Sequence, residues 1–306
     1  MHHVLSIDDV SRIEIERVID VAEQFRSTPR HILRARLQGA VVAMLFYEPS
    51  TRTRLSFEAA VARLGGNVVG AENARDNSSA KKGETLADVF RVVGVYADAI
   101  VIRHHEDDEM AQAASYSPVP IINAGAGSGE HPTQSILDVY TLWREFGSVD
   151  GLHICLVGDL KYGRTVHSLL KVLTRFRDIH VTVVHPDSLP LPPTLVDEVQ
   201  QRGITIERRG DLASALRDSD AIYQTRIQTE RFATPDEAKS ASDYRITAPH
   251  LQVLRENARI LHPLPRVDEI AAEVDEDARA AYFRQAQNGL FARMALMDVI
   301  LGGVLR

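Results

Sequence analysis

The chain has 306 residues, enough at about 150 per domain for one large domain or two ordinary ones, and long enough to bury about 75% of its unfolded surface without staples. Its 44% hydrophobic and 25% charged residues exclude a disordered chain, its 18 Gly and 13 Pro a fibrous or linker-rich one, and a net charge of −7 argues against a broad nucleic-acid-binding surface. One cysteine, Cys155, excludes an internal disulfide and fits a reducing compartment. Met1–Ser6 lacks a basic, apolar leader, and no run approaches the roughly 18 apolar residues of a membrane span, so the expectation is a cytoplasmic protein with no membrane contact.

In chain order, short apolar runs at Val41–Phe46, Ala99–Ile102, Val119–Ile122, Ile154–Val157, Val181–Val184, Ile204–Ile206, Ala221–Tyr223 and Ile260–Leu261 predict strands. They are mostly β-branched and continuous, the pattern of strands buried on both faces. Helical stripes lie between them: Leu55, Ala59 and Ala62 beside Phe57, Val61 and Leu64, then Leu86, Phe90, Val93 and Tyr96, then Ile136, Val139, Tyr140 and Trp143. This alternation predicts an α/β fold of two domains, each a parallel β-sheet flanked by helices. The polar, Gly-bearing stretch Arg144–Gly151 is the boundary candidate, with the halves joining near residue 147. The acidic run Glu106–Glu109 reads as a solvated face, because no spaced His or Cys partners it as metal ligands.

In open parallel sheets, ligands bind beyond the carboxyl ends of the strands. Polar segments stand at those places. Ser50-Thr51-Arg52-Thr53-Arg54 joins a strand to a helix, where free N–H groups and guanidinium donors suit a phosphate or carboxylate. Ser50 alone would be an ordinary cap; five such residues after a buried strand favour an anion site. Arg52 and Arg54, two apart on a helix, diverge. Asn77–Glu84 reads equally as a solvated loop or as a lysine-bearing contact to an anion, from its own or a neighbouring subunit.

Gly125–Gln134 is a Gly-rich loop running into a helix, with Glu130 where a dinucleotide fingerprint needs glycine. His131, before the helix-starting Pro132 and one turn from Gln134, is a candidate donor or acceptor. Gly158–Thr165 is a near miss to a triphosphate loop, with Arg164 in place of lysine, and survives as an anion site. Arg226 and Gln228 share one side of an extended segment and suit a carboxylate. His262-Pro263-Leu264-Pro265 is too proline-bound for helix or central strand, so its carbonyls can accept from a ligand. The motifs of zinc proteases, zinc fingers and serine hydrolases are absent, and Cys155 reads as a small core residue. The simplest expectation is chemistry with no metal, no cofactor and no covalent intermediate.

Together, Phe46–Glu58, Lys81–Asp88, Ala99–His104, Asn123–Tyr140, Gly158–Ser168, Thr225–Phe232 and His262–Ile270 resemble the catalytic chains of the aspartate carbamoyltransferase family. Gly-Asp-Leu-Lys-Tyr-Gly-Arg-Thr at 158–165 and His-Pro-Leu-Pro-Arg-Val-Asp-Glu at 262–269 carry it most specifically. The resemblance implies transfer of a carbamoyl group from carbamoyl phosphate to L-aspartate, an early step of pyrimidine synthesis. It implies a carbamoyl-phosphate-binding domain over 1–146, completed by a C-terminal helix at about 287–306, and an aspartate-binding domain over 147–286. Ser50, Thr51, Arg52 and Thr53 would hold the phosphate, and Thr53, Arg103 and His131 would polarise the carbamoyl oxygen. Gln134 and the carbonyls of Pro263 and Leu264 would take the carbamoyl NH₂, with Pro265 closing that loop. Arg164, Arg226 and Gln228 would hold the aspartate carboxylates. Ser78 and Lys82 would come from the adjacent subunit of a homotrimer, Lys82 acting in catalysis and on aspartate. Regulatory and dihydroorotase chains are the partner chains that the resemblance admits.

Ala126 and Glu130 depart from the family's usual aspartate and glutamine, and an effect on loop hydrogen bonding, affinity or subunit communication is the expectation. Two rival readings are a carbamoyltransferase acting on ornithine and a catalytically silent scaffold. Arg226 with Gln228 suits an anionic acceptor, and the ornithine enzymes carry a cysteine in the loop matching His262–Pro265, which is absent here.

Overall fold

The computed structural model describes residues 3–72, 83–105, 107–126, 129–227 and 244–302. The chain forms two compact units, Met1–Tyr140 with Gln287–Arg306, and Thr141–Ala286. Each is built on a parallel sheet with helices in the connections, as parallel strands require.

The first unit contains strands β1 (Val41–Phe46), β2 (Asn67–Glu72), β3 (Ala99–Arg103) and β4 (Ile121–Asn123), in the spatial order β2-β1-β3-β4. Its helices are α1 (Arg12–Ser27), α2 (Arg30–Leu33), α3 (Thr51–Arg63), α4 (Leu86–Tyr96) and α5 (Asp107–Ala114). Helix α6 (Pro132–Phe146) starts in this unit and ends in the other. The N-terminal segment extends the sheet: Val4 N–H donates to the Ile121 carbonyl at 2.8 Å and Asn123 N–H to the Val4 carbonyl at 2.8 Å.

The second unit orders β5 (His153–Val157), β6 (His180–Val184), β7 (Thr205–Arg208), β8 (Ala221–Gln224) and β9 (Arg259–Leu261) as β7-β6-β5-β8-β9. Helices α7 (Arg164–Leu173), α8 (Pro193–Gln201), α9 (Leu212–Asp218) and α10 (Ala248–Leu251) belong to it. Helix α11 (Tyr282–Leu301) starts here and ends in the first unit.

The strands differ from the sequence expectations in three places, each with a physical cause. Strand β2 was not expected, because its only apolar pair is Val68 and Val69 and a glycine interrupts it. That glycine is required: a Cβ on Gly70 would lie 2.5 Å from the carbonyl oxygen of Met44, its partner on β1. Strand β4 starts at Ile121, two residues beyond the expected Val119, just past Pro120, which has no N–H to donate. Strand β7 is an edge strand with mostly exposed residues, unlike the strands buried on both faces. Helix α1, which the strand-based reading passed over, has a clear start. Ser11 and Glu14 form a capping box, and the helix buries Ile15, Val18, Ile19, Ala22 and Phe25.

Central strands β1, β3, β5 and β8 are buried almost throughout, and each large apolar side chain so buried contributes about 1.5–3 kcal/mol. In the first unit, Ala43, Leu45, Phe90, Ile100, Ile102 and Ile121 share one core with Ala126. In the second, Cys155, Val157, Ile222, Ile260 and Tyr282 share another. Among the described residues no helix is long and apolar enough to cross a membrane.

Two predictions test this packing. Arg36 clasps Asp298 of α11 through Nε to Oδ1 at 2.8 Å and Nη2 to Oδ2 at 2.6 Å, and the carboxylate is buried. Removing the guanidinium leaves that carboxylate buried and unpaired, so Arg36→Met is expected to lower unfolding free energy by about 2–4 kcal/mol in denaturant titration. Cys155 lies at the centre of β5, and burial pushes its thiol up to about 12. The native protein is expected not to react with a thiol-specific disulfide reagent at pH 8, and to release one equivalent of chromophore once unfolded.

Candidate active site

In the first unit, the ends of β1, β3 and β4 are brought level to within one residue by their pairing, with Phe46 opposite Arg103 and Ile102 opposite Asn123. Tyr47 N–H donates to the Arg103 carbonyl at 2.9 Å, which sends the chain from β1 across the end of β3 and into α3. Ser50 is the N-cap of α3, yet its hydroxyl caps nothing. The first turn's N–H groups therefore lack the side-chain acceptor that usually satisfies one of them, the condition under which a helix N-terminus takes an anion.

The residues of that turn differ in their surroundings. Thr53 is buried, Thr51 and Arg52 are exposed, and Arg54 is held by Glu58 one turn on, Nε to Oε1 at 2.7 Å. The neighbouring Tyr47 is largely buried, which with the charges of Glu84 and Glu109 pushes its hydroxyl up to about 12.

Arg103, His131 and Gly125 form the tightest part of the site. Arg103 is buried at the end of β3, with Nε 3.5 Å from Oε2 of Glu48 and Nη1 3.5 Å from the Ala124 carbonyl. Gly125 has φ +105°, and a Cβ there would lie 2.9 Å from Arg103 Nη1 and 3.2 Å from His131 Cδ2. Glycine is demanded twice, by backbone conformation and by the two side chains that crowd it. Both donors thus meet over one bare stretch of backbone. His131 caps α6 by its carbonyl, which accepts from Gln134 N–H at 2.9 Å and Ser135 N–H at 3.2 Å. Gln134 is buried one turn on, and its Nε2 donates to Asp138 Oδ1 at 2.8 Å. Beside it Thr133 hides a hydroxyl with no hydrogen-bond partner among the described residues; no charge or spacing signal marks this residue in the sequence.

The two departures from the family pattern act inside this unit. Ala126 is fully buried in the core of the first unit. Glu130 Oε2 accepts from Ser6 Oγ at 2.9 Å and Ile7 N–H at 2.8 Å. The carboxylate therefore ties the loop before His131 to the N-terminal segment that extends the sheet.

In the second unit, Gly158 follows β5 with φ +114°, and a Cβ there would stand 2.5 Å from the Thr225 carbonyl. The next residue, Asp159, was not singled out from sequence. It is buried, and its Oδ1 accepts from Lys161 N–H at 3.1 Å and Tyr162 N–H at 2.9 Å, folding the turn that delivers Arg164 to the start of α7. Arg226 follows the adjacent β8 through Thr225, whose N–H donates to the Val157 carbonyl at 2.8 Å. Arg226 is half-exposed there, between the buried Thr225 and Ile227.

The loop after β9 is set by a buried pair. His262 Nδ1 accepts from Leu264 N–H at 2.8 Å, so its proton sits on Nε2, which donates to Glu269 Oε1 at 2.6 Å. Burial would raise the Glu269 carboxyl, but the His262 hydrogen bond and the Val267 and Glu269 backbone hold it below the usual range. Leu264 takes φ +55°, and the Leu264–Pro265 bond is cis. Among the described residues nothing donates to the carbonyls of Pro263 and Leu264. The expectations for Ser78, Lys82 and Gln228 fall outside the described residues.

Comparison with known proteins agrees with this arrangement. Residues 2–144 match the family described as aspartate/ornithine carbamoyltransferase, carbamoyl-P binding domain, and residues 150–300 its Asp/Orn binding domain. The chain is 45% identical to the aspartate carbamoyltransferase catalytic subunit of Vibrio campbellii, over 99% of this chain and 97% of that one. It superposes on the catalytic subunit of M. jannaschii aspartate transcarbamoylase with TM-score 0.91 and 42% identity, covering 99% of each chain. Aspartate transcarbamoylase from Trypanosoma cruzi in complex with N-(phosphonacetyl)-L-aspartic acid gives TM-score 0.89 and 42% identity, over 98% of this chain and 95% of that one. With two family domains matched in order along nearly its whole length, the chain belongs to the aspartate/ornithine carbamoyltransferase family.

Proposed function

We propose that this chain transfers the carbamoyl group of carbamoyl phosphate to the amino group of L-aspartate, giving N-carbamoyl-L-aspartate and phosphate for pyrimidine synthesis. The observation that carries the reading is the meeting of Arg103 and His131 over Gly125, beside the uncapped start of α3. Two hydrogen-bond donors converge next to a helix N-terminus, which suits an acyl phosphate whose carbonyl oxygen and leaving phosphate both gain negative charge.

Carbamoyl phosphate is already activated, so the protein's task is to position two anions and to stabilise moving charge. The aspartate amine attacks the carbamoyl carbon and a C–N bond forms; the C–O bond to phosphate breaks, its electron pair leaves with the phosphate oxygen, and the departing phosphate takes the proton that the amine loses. In our reading Ser50, Thr51, Arg52 and Thr53 hold the phosphate, and Thr53, Arg103 and His131 take the charge that builds on the carbamoyl oxygen. Gln134 and the carbonyls of Pro263 and Leu264 accept from the carbamoyl NH₂. Arg164, Arg226 and Gln228 hold the aspartate carboxylates. The first domain, 1–146 with about 287–306, would thus serve carbamoyl phosphate, and the second, 147–286, aspartate. The matched family descriptions support that division. We also infer a cytoplasmic homotrimer whose sites are shared, Ser78 and Lys82 coming from the adjacent subunit. The support for the trimer is the likeness of their loop to the family's shared one, and for the location the lone, buried Cys155.

Incubation with carbamoyl phosphate and either L-aspartate or L-ornithine tests the reaction. Carbamoyl-aspartate is the expected product; faster citrulline formation would assign the ornithine reaction, and no product from either amine the scaffold. Steady-state kinetics then test the division of labour. Arg52→Ala is expected to raise the KM for carbamoyl phosphate about 10²-fold, and Arg226→Ala that for aspartate by a similar factor, each leaving the other KM within about threefold. The reverse pattern would reassign the two arginines.

A further inference from the structure

The amide of Gln134 has a fixed direction. Its Nε2 donates to Asp138 Oδ1 at 2.8 Å within a buried stretch of α6. A carboxylate only accepts, so the NH₂ edge of the amide faces Asp138 and Oε1 lies on the opposite edge. Asp138 is itself fully buried, and its charge has a buried counterpart in Arg293 of α11. Burial pulls the Arg293 guanidinium down to about 10 while Asp138 acts to hold it up, so the cation persists at neutral pH. Helix α11 comes close to α6 there, since a Cβ on Gly289 would lie 3.1 Å from Leu137 Cδ2 and 3.0 Å from Arg293 Nη1. The guanidinium also lies over the Phe57 ring of α3, 5.1 Å from its centre.

We propose that Asp138, supported by Arg293, is a positioning residue that locks the Gln134 amide with its oxygen available to the substrate, so that the enzyme reads the carbamoyl NH₂ and discriminates against acyl phosphates that lack it. This inference rests on the carbamoyl-transfer reading above. Acetyl phosphate has nearly the same shape, with a methyl group where carbamoyl phosphate has two N–H donors. A rotatable amide could offer either edge, and a reversed one would present N–H to N–H. The buried carboxylate removes the reversed state, because two acceptors cannot share the contact.

Asp138→Asn is the test. Beside Arg293 the new carboxamide is expected to turn its oxygen to the cation and its NH₂ to Gln134, which then reverses. In the full-length enzyme kcat/KM for carbamoyl phosphate should fall about 10- to 100-fold, while kcat/KM for acetyl phosphate, read as N-acetyl-aspartate, changes less than about threefold. In a Gln134→Ala background the same substitution should cost less than about threefold with either donor, since there is no amide left to orient. Equal losses with both donors, or a full extra loss without Gln134, would show a merely structural role and overturn the inference. If D138N does not fold by circular dichroism, Asp138→Ser carries the same comparison, because its hydroxyl can donate to Gln134 Oε1 and permit the reversal. An unmodified enzyme that makes no carbamoyl-aspartate would instead overturn the underlying reading.

Discussion

The constraint on which the first unit depends is the bareness of the backbone at Gly125. Two buried side chains, Arg103 from β3 and His131 from the start of α6, come within 2.9 and 3.2 Å of the space where any other residue would put its Cβ. A bulkier residue would push apart the donors that are suited to an acyl oxygen. The approach is possible because the sheet is parallel and in register. Arg103 stands level with Phe46, and β4 ends at Asn123 opposite Ile102, one residue short of that level. Each loop then has only a few residues in which to reach its helix, and the helix N-termini follow the strand ends.

Charge is supplied locally in a protein whose overall charge is −7. Several buried charges are answered within their own unit. Asp298 is clasped by Arg36 and Glu269 accepts from His262, while the half-buried Asp275 holds Arg266 in the loop after β9. An isolated buried charge would cost several kcal/mol, so these pairs keep the surrounding loops in one conformation. Where the functional reading needs anions to be held, the segments after the strands carry arginines with partial exposure, such as Arg164 and Arg226. Glu130 shows the same economy: the residue that departs from the family pattern anchors its loop to Ser6 and Ile7.

Much of this was legible in the sequence, for particular reasons. Val41–Phe46 reads as a buried strand because it is a continuous apolar run, and Ser50–Arg54 as the turn into a helix because hydroxyl residues cluster behind Pro49. Strand β2 was not legible, since its need for Gly70 comes from Met44, a residue 26 positions earlier. Asp159 and Thr133 were passed over as well. Nothing in a linear string marks a carboxylate that folds its own turn or a hydroxyl buried without a partner among the described residues.

The sequence by itself determined the two α/β halves, the order of polar segments after the strands, and the family, because apolar period and short motifs are local properties of the chain. Only the tertiary structure decided that Arg103 and His131 meet, that His262 carries its proton on Nε2, and which way the Gln134 amide points. Each of these depends on the direction of a hydrogen bond or the closeness of two backbones. Residue type sets what a group can donate or accept, and packing alone sets to whom.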